Sequence, residues 1–347
     1  MASPESESST LRAEIERNNT NALPELADPE RAALIKQLSI NLDLDQIGPG
    51  AYACLWLSNM ERLQDIVRKA AEDPAAWSRV LITSDTTATL KAWMGRVRST
   101  TKQSKERKNN ATSSPSEADN TTALDSTPRS ETAKKLCRER GNDTCLITQA
   151  GVPIEIAHIF PYSLGQREHV SDLRSVWITA RLFWSKTEVK EWEQAILRSD
   201  GTETCSNLMA LWSSVQGLWG RACFALRPLG MSSDLKALRV QFYWLSPRSY
   251  VNQVPITTPP TKPPILDHGP CNTRLWNCVT KEQFICSGDV LTFITKDPIK
   301  LPLPSIDFLR MQWALTQALA IRGAGEATDE DLYPDDYEYQ GLEKIVP

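Results

Sequence analysis

The sequence predicts an α+β protein: a helical N-terminal region, a polar linker, and a larger mixed domain behind them. Three observations carry that reading. Apolar residues recur at spacings of three and four through Ala53, Leu57, Met60, Leu63, Val67 and Ala70, which marks one helix face. The run from Leu238 to Leu245 (LRVQFYWL) alternates in the manner of a half-buried strand. Between them, residues 99–131 have too few large apolar side chains to offset their own ordering entropy.

Taken in order, residues 1–20 read as a disordered N-terminus and 21–98 as helical. Asp28-Pro29 and Asp73-Pro74 each set a capping carboxylate before a proline at the first helical position. Lys91, Arg96, Arg98, Lys102, Lys105, Arg107 and Lys108 lead into and fill the first part of the linker against a single Glu106. That run reads as a solvated tether, with a phosphate-binding arm or nuclear-import signal as the sharper alternative.

Residues 132–325 form the mixed domain. Thr144 to Thr148 and Pro153 to Ile159 read as short strands joined by a turn at Gln149, Ala150 and Gly151. Residues 186–198 and 206–219 read as helices, and 251–270 as a proline-rich extended loop. Gln283 to Thr295 reads as a strand pair around Ser287-Gly288-Asp289. Ser305 to Ile321 is a helix with Phe308, Met311, Leu315 and Leu319 on one face. Residues 326–347 form an acidic tail.

Composition narrows the function classes. With 41% hydrophobic and 24% charged residues in 347, the chain is not wholesale disordered, and a net charge of −4 excludes a uniformly basic coat protein. No run approaches the roughly 20 apolar residues of a membrane span. The start, MASPESESST, lacks a basic and an apolar signal region, so the expected location is intracellular, cytoplasmic or nuclear, without secretion or a membrane partner. The 8 Cys form no C-x-x-C pair and are expected to be mostly buried thiols. The 11 Trp raise the idea of base stacking, but Trp184, Trp192, Trp212, Trp219 and Trp313 fall on or beside predicted helices among apolar neighbours, which favours core packing. The 3 histidines, His158, His169 and His268, nearly exclude chemistry built on several imidazoles. There is no G-x-S-x-G elbow and no P-loop.

One constellation has chemical content. The segments Cys145 to Gly151 (CLITQAG), Ile154 to Pro161 (IEIAHIFP) and Ser206 to Leu211 (SNLMAL) resemble the HNH endonuclease family, and more narrowly the HNH-domain proteins of filamentous fungi. The resemblance continues through Leu218-Trp219-Gly220, Phe224 to Pro228, Val240 to Trp244, Ser287-Gly288-Asp289, Lys296 to Pro304 and Met311-Gln312-Trp313, so that it covers roughly residues 130–325.

It implies a ββα-metal core, a β-hairpin packed on a helix around one divalent cation (Mg, Mn, Ni or Zn), embedded in the larger domain. It also implies metal-dependent phosphodiester hydrolysis with DNA as the partner. By position His158 matches the general base, and Asn207 the residue that orients the loop and the base. The third family position, normally a histidine ligand on the following helix, is Gln216. Ala157 stands where many such sites carry an aspartate ligand. The candidate metal ligands are therefore Gln216, Glu155 and His169. The pattern is H-N-Q rather than H-N-H. That departure gives the alternative reading: a catalytically degenerate HNH fold serving as a nucleic-acid- or protein-binding accessory module.

Without the resemblance, the same residues read more plainly. His158 in an apolar run is a core histidine, Asn207 is an N-cap, His169 sits in a solvated Gln-Arg-Glu-His loop, and His268 is a turn residue.

Overall fold

A computed structural model describes residues 26, 28–83, 86–93, 130–165, 170–197, 201–247, 251–260, 267–279 and 283–323. The expected disordered N-terminus, nearly all of the linker, the acidic tail, and Arg167, Glu168 and His169 lie outside the described residues.

The N-terminal part is helical: α1 (Pro29–Leu42), α2 (Pro49–Leu57), α3 (Met60–Glu72), α4 (Pro74–Thr83) and α5 (Thr86–Trp93), with a two-residue strand β1 (Gln46–Ile47) between the first two helices. Both expected caps form, since Asp28 accepts from the Glu30 amide at 2.9 Å and Asp73 from the Ala76 amide at 3.0 Å. The face read as one helix from Ala53 to Ala70 is divided between α2 and α3. Ser58 and Asn59 are extended, and polar partners hold them there. Ser58 Oγ donates to Leu55 O, and the Ser185 amide donates to Asn59 Oδ1.

The second part contains α6 (Glu131–Gly141), β2 (Ile154–His158), α7 (Tyr162–Gly165), α8 (Val170–Phe183), α9 (Lys186–Ile196), β3 (Leu208–Trp212), α10 (Ser213–Gly220), β4 (Phe224–Met231), β5 (Ala237–Trp244), β6 (Val254–Pro255), β7 (Val290–Ile294) and α11 (Ile306–Arg322). Among the described residues there are three small antiparallel sheets: β1 with β6, β2 with β3, and β4-β5-β7.

Three expectations are corrected. Residues 144–148 are not a strand but a knot of turns: Asn142, Asp143 and Gln149 have positive φ, and the Cys145 amide donates back to Ala150 O. The partner of β2 is instead β3, fifty residues downstream in register, with Ile154 opposite Trp212 and His158 opposite Leu208. The helix read over 206–219 is thus a 3-10 turn at Cys205–Asn207, then β3, then α10. Leu208 to Trp212 is an unbroken apolar run, whose period does not distinguish a buried strand from a buried helix. The strand pair read over 283–295 is also replaced: β7 pairs with β5, and Phe284 bridges Trp276.

The N-terminal helices share their core with the rest of the molecule. Buried residues from Leu26 to Leu319 form one cluster. Trp56 Nε1 donates to Ile256 O at 3.1 Å and the Tyr52 hydroxyl to Thr258 O at 2.6 Å, which ties the proline-rich loop to α2. Helix α11 runs through this core against α2 and β4, with Leu309, Met311, Leu315 and Ala318 buried. Among the described residues no helix is long and apolar enough to cross a membrane.

Candidate active site

Strand β2 delivers His158 at its C-terminal end, and β3 begins directly opposite, after the turn that carries Asn207. Pairing of the two strands therefore brings residues 202–207 against 158–160. The Asn207 side chain is fully buried and all of its hydrogen-bonding capacity is directed at that junction. Its Oδ1 accepts from the Phe160 amide at 2.8 Å, and its Nδ2 donates to Phe160 O at 3.1 Å and to Thr202 O at 2.9 Å. The Ile159 amide adds a bond to Asn207 O at 2.9 Å. The N-cap role read for Asn207 is not found, because a strand follows it rather than a helix.

His158 is mostly buried and its Nε2 lies 2.8 Å from Glu203 Oε1. The other carboxylate oxygen, Oε2, accepts from the backbone amide of Ser130 at 3.0 Å, and Ser130 is the N-cap of α6. That helix covers the face of the strand pair that bears His158, since a Cβ on Gly141 would meet the Cβ of Ala210, the partner of Ile156, at 3.9 Å. The His158 carbonyl accepts from Trp219 Nε1 at 3.2 Å, which fastens α10 to the same strand end. The Tyr162 ring lies 5.5 Å from the imidazole, centroid to centroid.

The Glu203 contact has a chemical consequence. A carboxylate accepts, so Nε2 carries the proton of the neutral ring and the lone pair falls on Nδ1. Among the described residues no group bonds to Nδ1. The arrangement is that of a histidine oriented by a carboxylate, with its other nitrogen left to act.

The turn that supplies Glu203 and Asn207 is held from beneath by Arg140. This buried guanidinium donates to Cys205 O, Leu208 O and Pro302 O at 2.9, 2.6 and 2.6 Å. Cys137 and Cys205 place their sulfurs 3.5 Å from it. Burial pushes the Cys137 thiol up to about 11 despite the opposing pull of Arg140, and burial likewise raises Cys205. Both remain neutral thiols near pH 7. As expected, most cysteines are buried, although Cys271 and Cys278 are exposed.

The candidate ligands do not gather in the same way. Glu155 lies three residues before His158 on β2, and the two-residue alternation of a strand sends their side chains to opposite faces. His169 lies outside the described residues. Gln216 is on α10, and its Oε1 is buried with no hydrogen-bond partner among the described residues. Among the described residues no three His, Cys, Asp or Glu side chains lie close enough together to hold a metal ion. The donors among the described residues do not fit a divalent cation: a neutral amide and one His–Glu pair, with that carboxylate already shared between an imidazole and an amide.

Glu203 is the functional candidate that sequence reasoning missed. Glu203 lies 45 residues from His158 along the chain and four residues before Asn207. Only the β2–β3 pairing makes those two stretches neighbours.

An antiparallel strand pair followed by a helix, with a histidine at the strand end and an asparagine stapling the adjoining backbone, is the layout of a ββα nuclease finger. A family model described as HNH endonuclease matches residues 145–227, about a quarter of the chain. The matched segment holds β2, β3 and α10 with His158, Glu203, Asn207 and Gln216. No curated protein and no solved structure matches the chain.

Proposed function

We propose that the protein hydrolyses phosphodiester bonds in DNA with His158 as general base. The observation that supports this most strongly is the contact between His158 and Glu203 beside the Asn207 staple. In the proposed step Nδ1 of His158 takes a proton from a water whose oxygen forms a bond to phosphorus. One P–O ester bond breaks, and the leaving oxygen takes its proton from solvent. Glu203 keeps the proton on Nε2 and stabilises the imidazolium as it forms. HNH domains typically use a divalent metal to stabilise charge at the phosphate. The described residues do not assemble a shell for one, so no step here is assigned to it.

The test is nicking of supercoiled plasmid with Mg²⁺, Mn²⁺, Ni²⁺ or Zn²⁺ added in turn. Nicking that His158→Ala removes supports the proposal, and no nicking with any of the four overturns it. The reading as a degenerate binding module is favoured by Gln216 and Ala157 at the ligand positions. Under it, the wild type shows no tight metal binding by calorimetry.

A further inference from the structure

We infer that Trp276, Phe284 and Arg274 form a stacking platform for an unpaired nucleobase, separate from the His158 site. The inference takes from the proposed function that the partner is nucleic acid. It is carried by a small hairpin outside the matched family segment. Trp276 and Phe284 form an antiparallel bridge, flanked by bonds from the Ile285 amide to Leu275 O at 2.8 Å and from the Asn277 amide to Gln283 O at 3.1 Å. Alternation along the two arms sends Leu275 and Ile285 into the core, where they are buried, and sends Arg274, Trp276 and Phe284 outward.

The outward group packs as a tilted aromatic pair with a guanidinium beside it. The Trp276 and Phe284 rings lie 3.8 Å apart by centroid, and the Arg274 guanidinium sits 4.8 Å from the Phe284 ring. Trp276 remains 46% exposed, unlike the buried Trp56, Trp184 and Trp192. Arg274 makes no ion pair among the described residues. Asp267 and Asp289 face Cys286, next to the hairpin, so this is no general polyanion surface. What it offers is a ring face with a guanidinium beside it that no ion pair among the described residues neutralises. Those are the two groups with which proteins hold single-stranded nucleic acid, and they serve any base because every base has a π face. The hairpin is also fastened to the HNH segment, through the Cys278 amide to Thr148 O at 2.8 Å.

The test measures binding by fluorescence anisotropy in chelator, where no hydrolysis occurs. The probes are a labelled oligothymidine of about 15 nucleotides, an abasic strand of equal length, and a duplex. Trp276→Ala is expected to weaken oligothymidine binding about 10-fold, with Trp276→Phe retaining most of it. The abasic strand and the duplex should be unaffected. Unchanged oligothymidine affinity in Trp276→Ala overturns the inference, as does an equal loss for the abasic strand. Binding of a proline-rich or apolar peptide that needs Trp276, without oligothymidine binding, assigns the surface to a protein partner and also overturns it. Plasmid nicking keeps the two readings apart. Trp276-dependent binding without nicking leaves the platform standing while the nuclease reading fails, and His158-dependent nicking with unchanged strand binding does the reverse.

Discussion

The two halves of the HNH site differ in how completely their polar groups are satisfied. At the end of β2, every polar atom of the Asn207 side chain has a backbone partner, and His158 is joined through Glu203 to the first turn of α6. On α10, Gln216 Oε1 is buried without a hydrogen-bond partner among the described residues. A satisfied buried network fixes one geometry, whereas an orphaned buried oxygen costs free energy and fixes nothing. Among the described residues, the half proposed to handle a proton is built, and the half proposed to hold a cation is not. Substitutions at four positions probe that contrast, taken from the largest expected effect to the smallest.

His158→Ala removes the proposed base and should lower plasmid nicking by about 100- to 10,000-fold, the usual worth of a positioned acid–base group. The fold should survive, because the histidine carbonyl that anchors Trp219 belongs to the backbone. Nicking that persists at more than a tenth of the wild-type rate, with an unchanged melting temperature, would remove His158 from the mechanism and end the contrast.

Asn207→Ala strands the Phe160 amide, Phe160 O and Thr202 O in a fully buried place. Each unmet group costs about 1–3 kcal/mol, so a loss of about 3 kcal/mol or more in urea unfolding is expected, along with loss of activity. Asn207→Asp is the sharper variant. It keeps the acceptor for the Phe160 amide but puts a carboxylate against two carbonyl oxygens, so it should be at least as damaging. A mild effect of either would show that the staple is not what holds the strand end.

Glu203 separates orientation from charge. Glu203→Gln retains an acceptor for Nε2 and so keeps the tautomer, but cannot balance an imidazolium. Glu203→Ala loses both. Groups that orient an active residue typically matter by 10–100-fold, and the alanine variant is expected near the upper figure and the glutamine variant near the lower. Equal, negligible effects in single-turnover cleavage would make Glu203 a cap for α6 and nothing more.

The base half was legible in part. His158 and Asn207 could be named because the A-H-I-x-P run and the Ser-Asn pair are local in the chain. Glu203 could not, because its closeness to His158 depends on a pairing across fifty residues, and β3 was read as helix from an apolar run that fits either period. The caps at Asp28 and Asp73 were legible for the opposite reason: a cap is decided within three residues. The break between α2 and α3 was hidden because the apolar spacing continues across it. What ends α2 there is tertiary: Arg31 donates to Ser58 O, and the Asn59 amide bonds to Phe183 O.

Gln216→Met is the smallest expected effect and the most informative about the α10 half. Methionine matches glutamine in length and shape but has no amide to satisfy. If the Gln216 oxygen has no partner in solution, replacing it should be neutral or stabilising, within about 1 kcal/mol in urea unfolding, because an unmet buried acceptor is removed. Nicking, where present, should also be unchanged. A loss of several kcal/mol, or of activity at full stability, would mean that the oxygen holds something in the working protein. The pairing with Gln216→His then reads the sign. An imidazole that confers metal binding while methionine costs nothing places the departure from H-N-H at the ligand position itself. A methionine variant that loses metal affinity makes the glutamine a ligand, and the two halves of the site would then be equally built.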